Sequence, residues 1–125
     1  MKMDDSLNVF GEPLETCSTL PMTGFFRDGC CNTNDLDRGS HTVCVILTEA
    51  FLNFSKARGN DLSTPRPEFE FPGLKPGQKW CLCAARWLEA YQHDCAPQVY
   101  LTRTHHRALE ITPMSLLKRY AIDLN

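Results

Sequence analysis

The chain lacks any long apolar run. Val43 to Leu47 and Trp80 to Ala85 fall far short of the ~20 residues a helix needs to cross a bilayer. It also lacks a field of one charge sign. Thirteen Lys and Arg stand against 15 Asp and Glu, for a net charge of −2, and no basic run exceeds Lys118-Arg119. Nothing here draws in nucleic acid or an anionic lipid surface by charge, so neither is expected as a partner. There is no phosphate-cradling glycine motif, no Walker sequence and no Gly-x-Ser-x-Gly elbow. No internal repeat or low-complexity segment occurs. The first residues, Met1 to Asp5, are polar and acidic and lack the basic-then-apolar pattern of a secretory signal. The expected compartment is therefore the cytoplasm, where thiols stay reduced.

Cysteine is abundant by contrast, with seven in 125 residues. An odd count argues against a closed disulfide framework. In a reducing compartment the expectation is free thiols or metal ligands rather than disulfides. The cysteines cluster: Cys30 with Cys31, Cys44 three residues after His41, and Cys81 with Cys83. Thiolate is a strong soft-metal ligand and the best side-chain nucleophile, so the clusters mark where chemistry could sit.

Length sets one domain with a self-sufficient core. Residues 1–7 read as a flexible tail and 8–125 as the globular domain. Asn8 to Leu14 and Gly24 to Cys31 could be short strands among turn residues. His41 to Leu47 is β-branched and apolar, as a buried strand would be. Thr48 is a fitting N-cap for a helix running to Ala57, with Leu47, Ala50, Phe51, Phe54 and Ala57 as its apolar face and Gly59-Asn60 as its stop. Four prolines between 60 and 79 exclude a helix and predict a long ordered loop. Lys79 to Ala85 predicts a strand and Arg86 to Gln92 a short helix. Gln98 to Thr102 and Leu109 to Ile111 predict further strands. Thr112-Pro113 predicts a second main helix, with Leu116, Leu117, Tyr120, Ala121 and Leu124 as its buried stripe. The sum is α+β: a small, mostly antiparallel sheet, two main helices and long Pro/Gly loops.

On a strand, Cys81 and Cys83 share one face, about 6.5–7 Å apart at Cα. That span strains a mutual disulfide but suits two sulfurs facing one metal or one cavity. Free cysteines as small core filler are the plain alternative. Cys30 and Cys31 sit beside the Asp28-Gly29 turn, with Arg27 and Asp28 as a local charge pair. His41 and Cys44, three apart, converge in a helix or knuckle but diverge on a strand. A zinc site would have to be assembled by tertiary folding from Cys30, Cys31, His41, Cys44, Cys81 and Cys83, because the usual Cys-x₂₋₄-Cys pair is missing. A nucleophilic thiol from Cys30, Cys31, Cys81 or Cys83 could instead use His41 or His105 as base, with Asp28 or Asp61 as orienter. The polar loop Asn60, Asp61, Ser63 and Thr64 could bind a ligand or cap its own backbone.

Taken together, Asn-Val-Phe-Gly-Glu-Pro-Leu (8–14), Thr-Gly-Phe-Phe-Arg-Asp-Gly-Cys-Cys (23–31), His-Thr-Val-Cys (41–44), Gly-Asn-Asp-Leu-Ser-Thr-Pro (59–65), Phe-Pro-Gly-Leu-Lys-Pro-Gly (71–77) and Trp-Cys-Leu-Cys-Ala-Ala-Arg-Trp (80–87) resemble a family of small bacterial proteins, domain of unknown function 2237. The resemblance runs from about Asn8 to Asp123. It implies a single domain and no particular reaction. It places Cys17, Cys30, Cys31, Cys44, Cys81, Cys83, His41 and His105 on family positions and leaves Cys95 and His106 outside them.

The leading expectation is a polar, thiol-bearing pocket in a thiol-dependent enzyme or redox protein. The arc Arg27–Cys31, His41–Cys44, Asn60–Thr64 and Cys81/Cys83 would line it. A zinc protein and a non-catalytic interaction module with core cysteines are the rivals.

Overall fold

A computed structural model describes residues 6–124. Residues 1–5, most of the expected tail, lie outside the described residues. Ser6 and Leu7 are tied into the molecule: Ser6 Oγ donates to Asn32 Oδ1 at 2.8 Å, and the Leu7 carbonyl accepts the His106 N–H at 2.9 Å.

The apolar segments at 41 and 79 become two antiparallel strands, β1 (His41–Ile46) and β2 (Lys79–Cys83). Each strand leads into a nine-residue helix, α1 (Glu49–Ala57) after β1 and α2 (Ala84–Gln92) after β2. Thr48 caps α1 as expected, its side chain accepting the Phe51 N–H at 3.1 Å. A third helix, α3 (Met114–Arg119), lies near the C-terminus. The class is α+β in a single domain, with a sheet of two strands.

Val43, Val45 and Leu82 of the sheet pack with Phe51 and Leu52 of α1, Trp87 of α2, and Val99, Leu101 and Leu117. Trp87 is the largest fully buried side chain, and its Nε1 donates to the Pro97 carbonyl at 3.0 Å. The buried stripe of α1 is Phe51, Leu52 and Ser55, rotated from the expected one. Ser55 faces inward because its hydroxyl donates to the Asn60 carbonyl at 2.7 Å and so ties off the loop after the helix.

Several local expectations give way to tertiary contacts. The segment 98–102 supplies only single bridges, Val99 to Val45 and to Ala121, and then turns into a 3-10 helix at Leu101–Arg103. Leu109 to Ile111 falls at the end of another 3-10 helix, His106–Glu110, rather than in a strand. Thr112 does not cap α3. It is buried, and its hydroxyl donates to the Ala84 carbonyl at 3.4 Å. The C-terminal helix is thereby the shortest of the three. Residues 8–14 and 24–31 form isolated bridges at most.

The largest correction concerns sulfur. Cys17 bonds Cys44 and Cys31 bonds Cys81, with Cα separations of 5.8 and 5.3 Å. Cys31, Cys44 and Cys81 are therefore disulfide-bonded here and not the free thiols expected. An odd cysteine count forbids complete pairing but not partial pairing, and Cys30, Cys83 and Cys95 remain free. Cys44 and Cys81 stand opposite each other in the β1–β2 register. Each bonds a cysteine of the N-terminal segment, which is thereby fastened over that face of the sheet.

Candidate functional site

The β1–β2 register is regular from Ile46 and Lys79 back to Val43 and Leu82, then slips. An unbroken register would set Thr42 opposite Cys83. A bulge at Thr42 sets His41 there instead. Bulges re-aim side chains in this way, and directly opposed residues hold their Cβ atoms about 4.5–5.5 Å apart. His41 of β1 and Cys83, the free thiol ending β2, thus stand at paired positions of the two strands. Cys83 also occupies the N-cap position of α2.

His41 is held from behind. Its Nδ1 lies 2.7 Å from Asp37 Oδ1. The Asp37 side chain is fully buried, while that of His41 is 43% exposed. Asp37 Oδ2 accepts the His41 backbone N–H and the Thr33 hydroxyl, both at 2.9 Å. A carboxylate so satisfied fixes the ring, and with Nδ1–H given to Asp37 the lone pair sits on Nε2.

His41 and Cys83 both line a cavity of about 460 Å³ running along β2. Gly24, Phe25 and Arg27 come from the N-terminal segment, and Asn60, Leu62 and Phe71 from the proline-rich loop. Trp80 and Arg86 complete its character. The Arg27 guanidinium lies 5.2 Å from the centre of the Trp80 ring and donates to the Gly24 carbonyl at 2.8 Å. Arg86 reaches Glu89 at 3.4 Å, a part-buried contact. No carboxylate lines the cavity among the described residues. Gly24 must be glycine: its φ is +99°, and a Cβ there would run into the Cys30 carbonyl oxygen.

A family model described as an uncharacterised protein conserved in bacteria, domain of unknown function 2237, matches residues 7–121. The chain belongs to this family. No curated protein matches it. No helix among the described residues is long and apolar enough to cross a membrane.

Four of the expected site residues meet at the family member's cavity: Arg27, His41, Asn60 and Cys83. Cys81 borders it but carries its sulfur in a bond to Cys31. The others stand elsewhere. Asp28 locks its own turn, accepting the Cys30 N–H at 3.0 Å and Asn32 Nδ2 at 2.7 Å. Asp61 accepts the Thr64 hydroxyl and the Ser63 and Thr64 N–H groups. The Thr64 hydroxyl bond holds its carboxyl below the usual range. Ser63 and Thr64 thus serve that loop and do not line the cavity. The thiol of Cys30 contacts Thr16 Oγ1 at 3.8 Å. His105 is buried, accepts the Arg107 N–H and stacks on His106. Of the expected zinc set, Cys30, His41, Cys44 and Cys83 are outside the one sulfur group close enough for a metal among the described residues, Cys17, Cys31 and Cys81. Asp37 and Arg86 escaped the sequence reading. Asp37 stands four residues before His41, a spacing that could have flagged an orienting carboxylate.

Proposed function

We propose that this family member is a thiol-dependent enzyme whose nucleophile is Cys83, acting on a small anionic molecule. One observation carries the reading: the bulge at Thr42 sets His41 opposite Cys83 while buried Asp37 holds the imidazole by Nδ1. Nucleophile, base and orienter in sequence is the general logic of activated thiols. His41 Nε2 takes the thiol proton as the sulfur bonds an electrophilic carbon of the substrate. The bond to the leaving group breaks with its electron pair, and His41 returns the proton to that group. Asp37 is a positioning residue. Arg27 and Arg86 favour a substrate carrying carboxylate or phosphate, and Phe25, Phe71 and Trp80 provide its apolar walls.

Alkylation kinetics, mapped residue by residue, test this. Cys83 is expected to react fastest of the three free thiols, and His41→Ala to slow it at least tenfold at neutral pH. Cys95 is expected to be slowest, because burial pushes its thiol up and Asp94 adds to that. Iodoacetate should gain over neutral iodoacetamide at Cys83, and Arg27→Gln should remove that preference. A Cys83 no faster than Cys30, or indifferent to His41→Ala, would sink the reading and leave an interaction module as the better account.

A further inference from the structure

The two disulfides are not separate staples. All four of their cysteines are buried to 3% exposure or less and form one cluster walled by Tyr100. Two come from directly opposed positions of the sheet, Cys44 and Cys81, and two from the segment above it, Cys17 and Cys31. The sulfurs of Cys17, Cys31 and Cys81 lie within 4.8 Å of one another, and that of Cys44 is bonded to Cys17. A tetrahedral zinc tetrathiolate, with Zn–S of about 2.3 Å, spaces its sulfurs about 3.8 Å apart. Three of the sulfurs already stand near that spacing, and opening the bond to Cys17 would free the fourth, Cys44, to complete the set.

Chemistry around the cluster fits that occupant. The backbone N–H groups of Cys81 and Cys44 are already held by Thr23 Oγ1 at 2.9 Å and Thr104 Oγ1 at 3.2 Å, so the backbone frame does not depend on the S–S bonds alone. Four thiolates on one Zn²⁺ carry a net charge of −2. Arg103 and Lys79 sit over the Tyr100 ring that walls the cluster, at 4.5 and 5.9 Å from its centre, and offset that charge. When reductant opens the disulfides, four buried thiols are pressed together, a donor set that binds zinc with release of protons.

We infer that Cys17, Cys31, Cys44 and Cys81 bind one zinc ion in the reduced protein, and that the paired disulfides are the oxidised, metal-free form of the same site. With hydrogen peroxide as oxidant the step balances. Two peroxides and four protons convert the zinc tetrathiolate into two disulfides, free Zn²⁺ and four waters. Each peroxide accepts the two electrons given up by one pair of thiolates. This site uses neither Cys83 nor His41, although Cys81 borders their cavity.

The test uses the full chain, reduced and handled without oxygen, with Co²⁺ and Zn²⁺ as probes. One cobalt per chain with the intense charge-transfer bands of a tetrahedral tetrathiolate is expected, displaced stoichiometrically by zinc. Two equivalents of peroxide should release the zinc completely. The triple variant Cys30→Ser, Cys83→Ser, Cys95→Ser should behave identically, and Cys44→Ser should lose stoichiometric zinc. Should Cys44→Ser fail to fold, the cobalt spectrum of the triple variant decides. Reduced protein that takes up neither metal, that holds it through nitrogen ligands, that selects iron, or that loses binding in the triple variant overturns the inference.

Discussion

Residues 41–124 and residues 6–40 are held together by different physics. The first region has all the helices and strands described and closes around an apolar core centred on Trp87, Leu82 and Phe51. The second has no regular element. Short polar bonds shape its turns, such as Asn8 Oδ1 with the Phe10 and Glu12 N–H groups and Asn34 Oδ1 with that of Leu36. Two sulfur bonds fasten it to the sheet. The cavity lies where they meet: the second region supplies Arg27, and Asp37 behind it, while the first supplies His41, Cys83 and Arg86. A scaffold with a packed core thus presents the thiol, and a sulfur-anchored segment positions what stands around it.

Breaking the apolar side should have the largest effect. Trp87 is fully buried, with Tyr91 and Tyr120 at 5.9 and 5.6 Å between ring centres. Trp87→Ala is expected to cost about 3–5 kcal/mol, seen as a lower urea midpoint with both regions melting together.

Breaking the sulfur side should be local. Chain-entropy arguments for closed loops of 27 and 50 residues put the two disulfides near 3.5 and 4 kcal/mol, about, and less in combination because the loops overlap. Cys31→Ser is expected to raise amide exchange through residues 14–34 by more than in α2, whose protection falls only with the global stability. Equal loss of protection in α2 would show that the two regions unfold as one unit.

Legibility in the sequence follows the same division. The hairpin strands, α1 with its Thr48 cap, and α2 were readable because apolar periodicity and capping are local signals. Arg27, His41, Asn60 and Cys83 were named as candidates from residue type alone. Their meeting place was not readable, since it depends on one extra residue in β1 that changes which side chain stands opposite Cys83. The disulfides were missed for a related reason. Cysteine parity and expected compartment say nothing of tertiary approach, and Cys31 and Cys81, 50 residues apart, meet only in the folded chain. The strands expected at 98–102 and 109–111 are cut short because their backbone bonds go elsewhere: the Leu101 and Thr102 N–H groups to the Asp123 carboxylate, Ile111 N–H to the Ala108 carbonyl.

A smaller effect should come from the C-terminal clasp. Asp123 accepts the Leu101 and Thr102 N–H groups at 2.8 and 3.0 Å and the Thr102 hydroxyl at 2.9 Å. Burial alone would raise its carboxyl, but these bonds from Thr102 and Leu101 outweigh it and hold the group below its ordinary 3.8. A depressed folded value stabilises above the unfolded one and fades as pH falls through the folded one. Asp123→Asn is therefore expected to cost about 1 kcal/mol at neutral pH. The gap to wild type should shrink as pH drops below 3.8. A gap that persists undiminished in acid would assign the loss to packing rather than charge.

The smallest effect on stability should be the sharpest probe of the boundary between the two regions. A Cβ on Gly39 would stand 2.7 Å from His41 Cε1. Gly39 does not occupy the left-handed backbone region, so Gly39→Ala carries no backbone strain, and the imidazole, part-exposed and hinged at χ1, is what gives way. Stability should fall by no more than about 1 kcal/mol, the worth of one hydrogen bond, since Asp37 keeps the Thr33 hydroxyl and the His41 N–H. The ring, pushed from Asp37 Oδ1, should lose its aim at Cys83, and alkylation of that thiol should slow several-fold while Cys30 and Cys95 are unchanged. An unaltered Cys83 rate would mean that Asp37 does not set the imidazole's approach, and the second region would then merely cover the cavity without shaping its chemistry.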